Sequence, residues 1–211
     1  NYFGRATDTQ TIKLAPLLLV KGGTKVALYG LGHVRDERLH RVLDEERVKV
    51  LRPDHDGRWF SILAVHQNRH VRGSGEVGYK KGYIKESQLP NCMDLVVWGH
   101  EHECKIGTGA GVDESTENMF HVMQPGSTVA TSLIPGEEVP KHVGLLHIRG
   151  SQYKLDALPL HSVRPFLHAE VCLAEKEDLA DFNDEAQLMD FLDSEVHKML
   201  EKLSGGGGGG G

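Results

Sequence analysis

The sequence lacks any apolar run long enough to cross a membrane. Its longest apolar stretches, such as Leu14 to Val20 and Ile62 to Val65, are far shorter than the roughly 20 residues that a spanning helix needs. Its three cysteines are an odd number without regular spacing, which argues against a disulfide framework and favours a reducing compartment. No secretory signal pattern follows Asn1. These absences predict a soluble protein, and nothing in them points to secretion.

Charge of neither sign dominates the chain. The 211 residues include 24 Lys and Arg against 30 Asp and Glu, with 39% hydrophobic residues, which suits one globular domain with a smaller appendage. Basic residues are concentrated in the first third, where nucleic-acid phosphates would be favoured. Ordinary solvated charge explains the same distribution.

Short apolar runs separated by turn residues predict strands, and the fully apolar run from Met93 to Trp98 is typical of a strand buried on both faces in an α/β or sandwich core. The predicted strands are Ile12 to Val20, Lys25 to Tyr29, Trp59 to Val65, Met93 to Trp98, Phe120 to Met123, Val129 to Leu133, Val143 to Ile148, Tyr153 to Leu158 and Val163 to Ala174. Helical spacing predicts one helix from Asp36 to Leu43 and another from Asn183, its N-cap, to Leu203. The glycine-rich and basic stretch from His70 to Gly82 predicts a mobile loop.

The character of the sequence changes after Pro159. We therefore predict one domain over residues 1–158, the start of a second over 159–204, and a flexible glycine linker or artefact over 205–211.

The chemically informative residues are three histidines that follow buried strands. His66 ends one predicted strand, and Gly99 ends the next and is followed by His100 and His102. Side chains at the ends of adjacent strands meet at one edge of a sheet, where a rigid scaffold can hold them at fixed separation. Since neutral imidazole binds Mn, Fe and Zn, the pattern predicts metal ligation by His66, His100 and His102. One such histidine alone would be a surface or hydrogen-bonded residue.

Other interpretations of nearby residues remain open. A zinc site that uses Cys104 lacks a Cys-x-x-Cys pair to support it. Gln124 to Ser127 favours a structural turn over a phosphate cradle. Asn68 and Arg69, beside His66, could orient a ligand or bind DNA. The arginines of the first helix could touch DNA or be solvated.

Longer phrases around these residues resemble one family of nucleases. The phrases are Tyr29 to Gly32, Asp36 to Leu39, His66 to Arg69, Trp98 to Lys105, Gln124 to Leu133 and Lys141 to Leu146. They are similar to the meiotic-recombination-eleven nucleases, the nuclease subunits of the eukaryotic MRN complex within the calcineurin-like metallophosphoesterase superfamily. The resemblance extends from Tyr2 to about Leu203.

The resemblance implies the second half of a four-layer α-β-β-α sandwich in residues 1–158 and the start of a small α+β DNA-binding capping domain in 159–204. It implies two Mn²⁺ ions, with His66 and His100 on one ion and His102 on the other. The two ions would hold a scissile phosphodiester and activate water.

The implied function is nuclear double-strand break repair, in homologous recombination and meiosis. The implied enzyme is a manganese-dependent 3'-5' exonuclease on duplex ends and an endonuclease on single strands and hairpins. Its implied partners are DNA, an SMC-like ATPase subunit, a nibrin-type subunit and, in the complete protein, a second copy of itself. No membrane is implied.

The sequence also departs from this family. The motifs Asp-x-His, Gly-Asp and Gly-Asn-His-Asp, which lie upstream in the family, do not occur here. They hold the carboxylate shared between the metals and the histidine that assists the leaving group, so the catalytic residue is unknown in this sequence. We expect the chain alone to bind metal weakly and to cleave little. A non-catalytic scaffold fragment is the alternative, and a generic phosphatase of the same superfamily fits the long phrases less well.

Overall fold

The computed structural model describes Gly4 and residues 10–53, 57–69, 83–106, 113–114, 119–175 and 184–205. Within these residues the strands are β1 (Ile12–Leu14), β2 (Leu17–Lys21), β3 (Thr24–Leu31), β4 (Val48–Val50), β5 (Phe60–His66), β6 (Leu95–Gly99), β7 (Asp113–Glu114), β8 (His121–Met123), β9 (His142–Arg149) and β10 (Gln152–Pro159). The α-helices are α1 (Asp36–Asp44) and α2 (Glu185–Gly205), and 3-10 helices cover Glu86–Gln88, Pro135–Glu138 and Leu173–Glu175.

A six-stranded mixed sheet organises the first part of the chain. Its strand order is β2-β3-β5-β6-β8-β7, in which β3, β5, β6 and β8 are parallel. The edge strands β2 and β7 run antiparallel to their neighbours. The carboxyl ends of β3, β5 and β6 therefore reach the same edge of the sheet.

Each face of this sheet is covered by a different layer. On β5, Leu63 and Val65 point into one core, while Phe60 and Ile62 point into the other, as the two-residue period of a strand requires. Leu39 and other residues of α1 complete the first core. The second core is completed mainly by the β9–β10 hairpin, in which Leu146, Ile148, Tyr153 and Leu155 are partly buried against the sheet. The mixed α/β class predicted from the sequence is thus confirmed.

The first predicted strand is wrong as a single element. Residues 12–20 form two strands, because β1 pairs in parallel with β4 whereas β2 pairs with β3. The break falls at Ala15 and Pro16. Proline has no backbone N–H to donate to a ladder, so a strand readily ends there.

Two further predicted strands are also wrong. Residues 129–133 run without strand pairing before the 3-10 helix that begins at Pro135, and Val129 and Leu133 are 50% and 83% exposed. Residues 163–172 have no regular structure. Both segments contain apolar and β-branched residues that favour strands, but neither side of them is buried in the described structure. Their β propensity alone therefore does not decide their conformation.

The predicted helices are confirmed within one or two residues. The carboxylate of Asp184 accepts the backbone N–H groups of Ala186 and Gln187 and so caps α2. The predicted cap Asn183 and the predicted loop 70–82 lie outside the described residues, as do glycines 206–211. Neither α1 nor α2 is sufficiently long and apolar to cross a bilayer.

Candidate metal centre

Two adjacent parallel strands deliver the first pair of histidines. His66 is the last residue of β5 and lies opposite Gly99, the last residue of β6, so that His100 follows at the same edge. A Cβ atom at position 99 would lie 3.2 Å from Nδ1 of His66 and 3.3 Å from the carbonyl oxygen of Val65. Because glycine has no Cβ atom, Gly99 leaves room for the ring of His66.

The rings of His66 and His100 are close enough to share one metal ion. Nε2 of His66 lies 3.3 Å from Nδ1 of His100, and the ring centroids are 5.0 Å apart. Two imidazole nitrogens that bind one ion, each at about 2.0–2.1 Å and at a tetrahedral or octahedral angle, lie roughly 3–3.4 Å from each other. The pair thus fits two ligand positions on a single ion.

The backbone at His100 is held in an uncommon conformation. Its φ angle is +81°, in the left-handed region that favours glycine. Such conformations cost of order 1–3 kcal/mol and persist only where the surrounding structure enforces them. The residue that adopts this conformation is therefore the one whose ring lies against the ring of His66.

A third histidine, His33, lies beside this pair. Its ring centroid is 6.4 Å from that of His66 and 6.3 Å from that of His100, with a stacked orientation toward His100. Sequence reasoning missed it. The signal that identified His100, a histidine directly after a glycine at the end of a buried strand, also marks His33, which follows Gly32 and β3.

The surroundings of His66 favour its neutral form. Burial lowers the pKa of His66 below its ordinary value, and repulsion from His100, His33 and His102 lowers it further. A neutral imidazole is the form that binds a metal ion. At neutral pH the His66 ring is therefore neutral, and one of its nitrogens has a lone pair for a metal ion.

His102 is held by a different set of contacts. Its Nδ1 lies 2.8 Å from Oε1 of Glu137 and 2.8 Å from Oγ1 of Thr131. Glu137 is 1% exposed, and the Lys141 ammonium contacts its other oxygen. Burial raises the pKa of Glu137, but hydrogen bonds from Lys141, from the backbone of Thr131 and from His102 outweigh burial and hold that pKa well below its usual range.

A tight turn packs the loop after β8 against His102. Gly126 has a φ of +71°, and a Cβ atom there would lie 2.6 Å from the backbone nitrogen of Cys104. The Ser127 backbone N–H donates to the carbonyl of His102 at 3.1 Å. Glycine is required at this approach because any side chain would collide with the backbone.

Within the described residues, no group of three His, Cys, Asp or Glu side chains is arranged to hold one metal ion. His66 and His100 form a pair, whereas Nδ1 of His102 is directed at Glu137. The geometry is therefore two histidine rings side by side and a third histidine held separately. The assignment of these residues to two ions stays a prediction.

Comparisons with known proteins cover most of this chain. A family model described as the Mre11 DNA-binding presumed domain matches residues 153–205. The double-strand break repair protein mus-23 of Neurospora crassa is 49% identical over 175 residues, which are 82% of this chain and 22% of that protein. The double-strand break repair proteins MRE11 of Homo sapiens and Arabidopsis thaliana are each 45% identical, over 85% and 97% of this chain and 24% and 28% of their own lengths.

This chain belongs to the Mre11 family. The family identified from the sequence phrases is confirmed. The chain spans only about a quarter of the length of these Mre11 relatives. The boundary predicted near Pro159 stays a prediction.

The two residues predicted to bind DNA take part in internal contacts. The Arg69 side chain is 9% exposed and donates to Glu86 at 2.6 Å and to Gln124 at 3.0 Å, and its guanidinium lies 5.5 Å from the ring centroid of Trp98. The Asn68 carbonyl accepts the backbone N–H of Ile84. The geometry supports a structural role for Arg69, and DNA contact by either residue stays a prediction.

The acidic residues beside the histidines also have internal partners. Glu101 accepts the backbone N–H of Arg69 at 2.7 Å, and Glu103 lies 3.7 Å from the ammonium of Lys105. Cys104 is fully buried in the second core. Among the described residues at this edge of the sheet, the imidazoles are thus the candidate metal-binding groups.

Proposed function

We propose that this chain contributes His66, His100 and His102 to a two-manganese phosphodiesterase centre that cleaves DNA in double-strand break repair. The observation that carries the proposal is the 3.3 Å separation of the His66 and His100 nitrogens at the carboxyl ends of adjacent strands. Membership of a family of double-strand break repair proteins supports DNA as the substrate.

Bound manganese would supply Lewis acidity toward a phosphoryl oxygen and charge stabilisation for the leaving oxygen. The residues of this chain hold neutral nitrogen ligands in place. Burial of His66 disfavours a competing proton on its ring, and the enforced backbone of His100 presents its ring to the same point.

Two dications about 3.5–4 Å apart need negative charge between them. In the described part of the chain, Glu101 and Glu103 are directed toward Arg69 and Lys105 instead. We propose that the shared carboxylate and the leaving-group histidine belong to polypeptide outside this chain. Alone, the chain would then bind Mn²⁺ weakly and cleave little.

The finer features of the family belong to the same proposal. They are 3'-5' exonuclease activity on duplex ends, endonuclease activity on single strands and hairpins, and action in the nucleus. The proposed partners are an SMC-like ATPase, a nibrin-type subunit and a second copy of the protein. The six-stranded sheet and the β9–β10 hairpin would form two inner layers of a four-layer sandwich, and residues from 159 onward would begin the capping domain.

Metal binding is tested first. Calorimetric titration with Mn²⁺ should give weak binding that His66→Ala and His100→Ala each reduce at least tenfold. His161→Ala, an exposed histidine after β10, serves as the matched control and should leave binding unchanged. Binding that is the same in all four proteins would contradict the proposed centre.

Cleavage is tested by supplying the rest of the site. The segment of the Neurospora crassa relative that precedes its matched region is made separately and mixed with this chain, a labelled DNA duplex and Mn²⁺. Cleavage should occur on mixing and be lost with His66→Ala. A mixture that binds Mn²⁺ and DNA but never cleaves would contradict the nuclease function.

A second candidate is a DNA-binding scaffold without catalysis. The match of residues 153–205 to a presumed DNA-binding domain favours it. In that case a fluorescent duplex would bind equally well to the wild type and to His66→Ala, and Mn²⁺ would not alter the affinity.

A further inference from the structure

Glu137 is a buried carboxylate at the centre of the contacts around His102. Its side chain is fully inaccessible, and the Lys141 side chain that pairs with it is 4% exposed. Burial of a charged pair carries a large desolvation cost, so a site of this kind needs further hydrogen bonds to persist. Glu137 receives several.

Every other group around Oε1 of Glu137 is a donor. The backbone N–H groups of Thr131 and Ser132 donate to it at 3.0 and 3.1 Å, and the Thr131 hydroxyl donates at 3.2 Å. A carboxylate that receives these donors and a lysine ammonium is ionised and can only accept. Nδ1 of His102, 2.8 Å from the same oxygen, must therefore carry a proton and donate it.

The position of this proton determines what the other ring nitrogen can do. A neutral imidazole with a proton on Nδ1 has its lone pair on Nε2. All the hydrogen bonds that the described residues make to the His102 ring involve Nδ1, and the side chain is one third exposed. Nε2 is thus the nitrogen that remains for a ligand outside these contacts.

We propose that Glu137 is a positioning residue that holds His102 in the Nδ1–H tautomer with Nε2 available to a metal ion, an inference that rests on the proposed function for the identity of the ion. Metal-binding histidines commonly donate their second N–H to a carboxylate, which fixes the ring orientation and raises ligand basicity. Lys141 balances the carboxylate charge and also donates to the carbonyl of His102 at 3.3 Å. The same two residues therefore hold both the ring and the backbone of His102.

The tautomer can be measured without any metal. Long-range ¹H–¹⁵N NMR on the full chain distinguishes protonated from unprotonated ring nitrogens, and the His102 signals are assigned by their loss in His102→Gln. The wild type should show the proton on Nδ1. A proton on Nε2 in the wild type would overturn the proposal.

Two variants separate the carboxylate from general loosening of the loop. Lys141→Met removes the ammonium but keeps Glu137, so the Nδ1–H tautomer should persist. Glu137→Leu combined with Lys141→Met replaces the pair by apolar side chains of similar size, and His102 should then shift toward the Nε2–H tautomer. A folded double variant that keeps the Nδ1–H tautomer would overturn the role of Glu137.

Titration with Mn²⁺ alone then tests the consequence. Loss of a carboxylate behind a ligating histidine commonly lowers metal affinity by about 10–100-fold, so the double variant should bind Mn²⁺ that much more weakly than Lys141→Met. Equal affinities would contradict the positioning role toward the ion. If the wild type binds no Mn²⁺, the proposed function fails, whereas the tautomer measurement still decides whether Glu137 positions His102.

Discussion

Glu137 and Lys141 form a buried pair, and the free energy of unfolding should fall by different amounts when one or the other side chain is removed. Beyond Lys141, Glu137 accepts five further hydrogen bonds, which come from His102, Ser127, Thr131 and Ser132. Among the described residues, Lys141 keeps only the carbonyl of His102 and the hydroxyl of Ser127 as acceptors when Glu137 is removed. The carboxylate is therefore better compensated than the ammonium.

The magnitudes follow from this difference. Glu137→Leu leaves an ammonium buried with two neutral acceptors, and removal of one partner of a buried pair costs about 3–5 kcal/mol. Lys141→Met leaves an ionised carboxylate with five donors, so we expect a loss of about 1.5–3 kcal/mol, the range for one hydrogen bond to a charged group. The double variant should be less destabilised than Glu137→Leu alone, since no charge is left unpaired.

Urea unfolding followed by circular dichroism gives the free energy of unfolding of each variant, and an unchanged m-value confirms that the same transition is compared. Glu138→Gln, the exposed neighbour in the same 3-10 helix, is the control and should change stability by less than about 0.5 kcal/mol. The reasoning is refuted if Lys141→Met costs more than Glu137→Leu, or if the two effects simply add.

Three further measurements probe the same region. The pKa of Glu137 is held below its unfolded-state value of about 4.3, so its contribution to stability is complete above that pH and is lost as the pH falls toward the folded pKa. Below about pH 4.3 the free energy of unfolding should therefore fall more steeply with pH in the wild type than in the double variant, and equal slopes would contradict this contribution. The NMR pKa of His66 should lie below about 6.5 and rise in His100→Ala, and no rise would exclude repulsion between the two rings. Because the φ of His100 is +81°, His100→Gly should be more stable than His100→Ala by roughly 1 kcal/mol, a melting temperature about 2–4 °C higher, and the opposite order would mean that this backbone is not strained.

Much of the sheet could be predicted because burial and local pattern agree there. The apolar runs that became β5 and β6 have Gly or polar residues at their ends, and they are buried on both faces. The segments at 129–133 and 163–174 have similar composition but no partner strand in the described structure. Pairing is a tertiary property, so composition alone could not separate these two cases.

The candidate site could be predicted only in part. Placement after buried strands identifies His66 and His100, and the same signal marks His33, whose ring lies beside theirs. Glu137 could not be found in this way. It follows no strand and lies 35 residues from His102 in the sequence, so the contact between the two residues is a property of the folded chain.

Mn²⁺-induced paramagnetic broadening of the histidine NMR signals is the most direct test of a shared metal centre, because the ion broadens nearby nuclei first. As Mn²⁺ is added, the ring signals of His66 and His100 should disappear at the lowest concentrations, followed by His102, while His147 on β9 and His197 on α2 remain sharp. Broadening that reaches His147 or His197 before the three candidate ligands would contradict a manganese centre at this edge of the sheet.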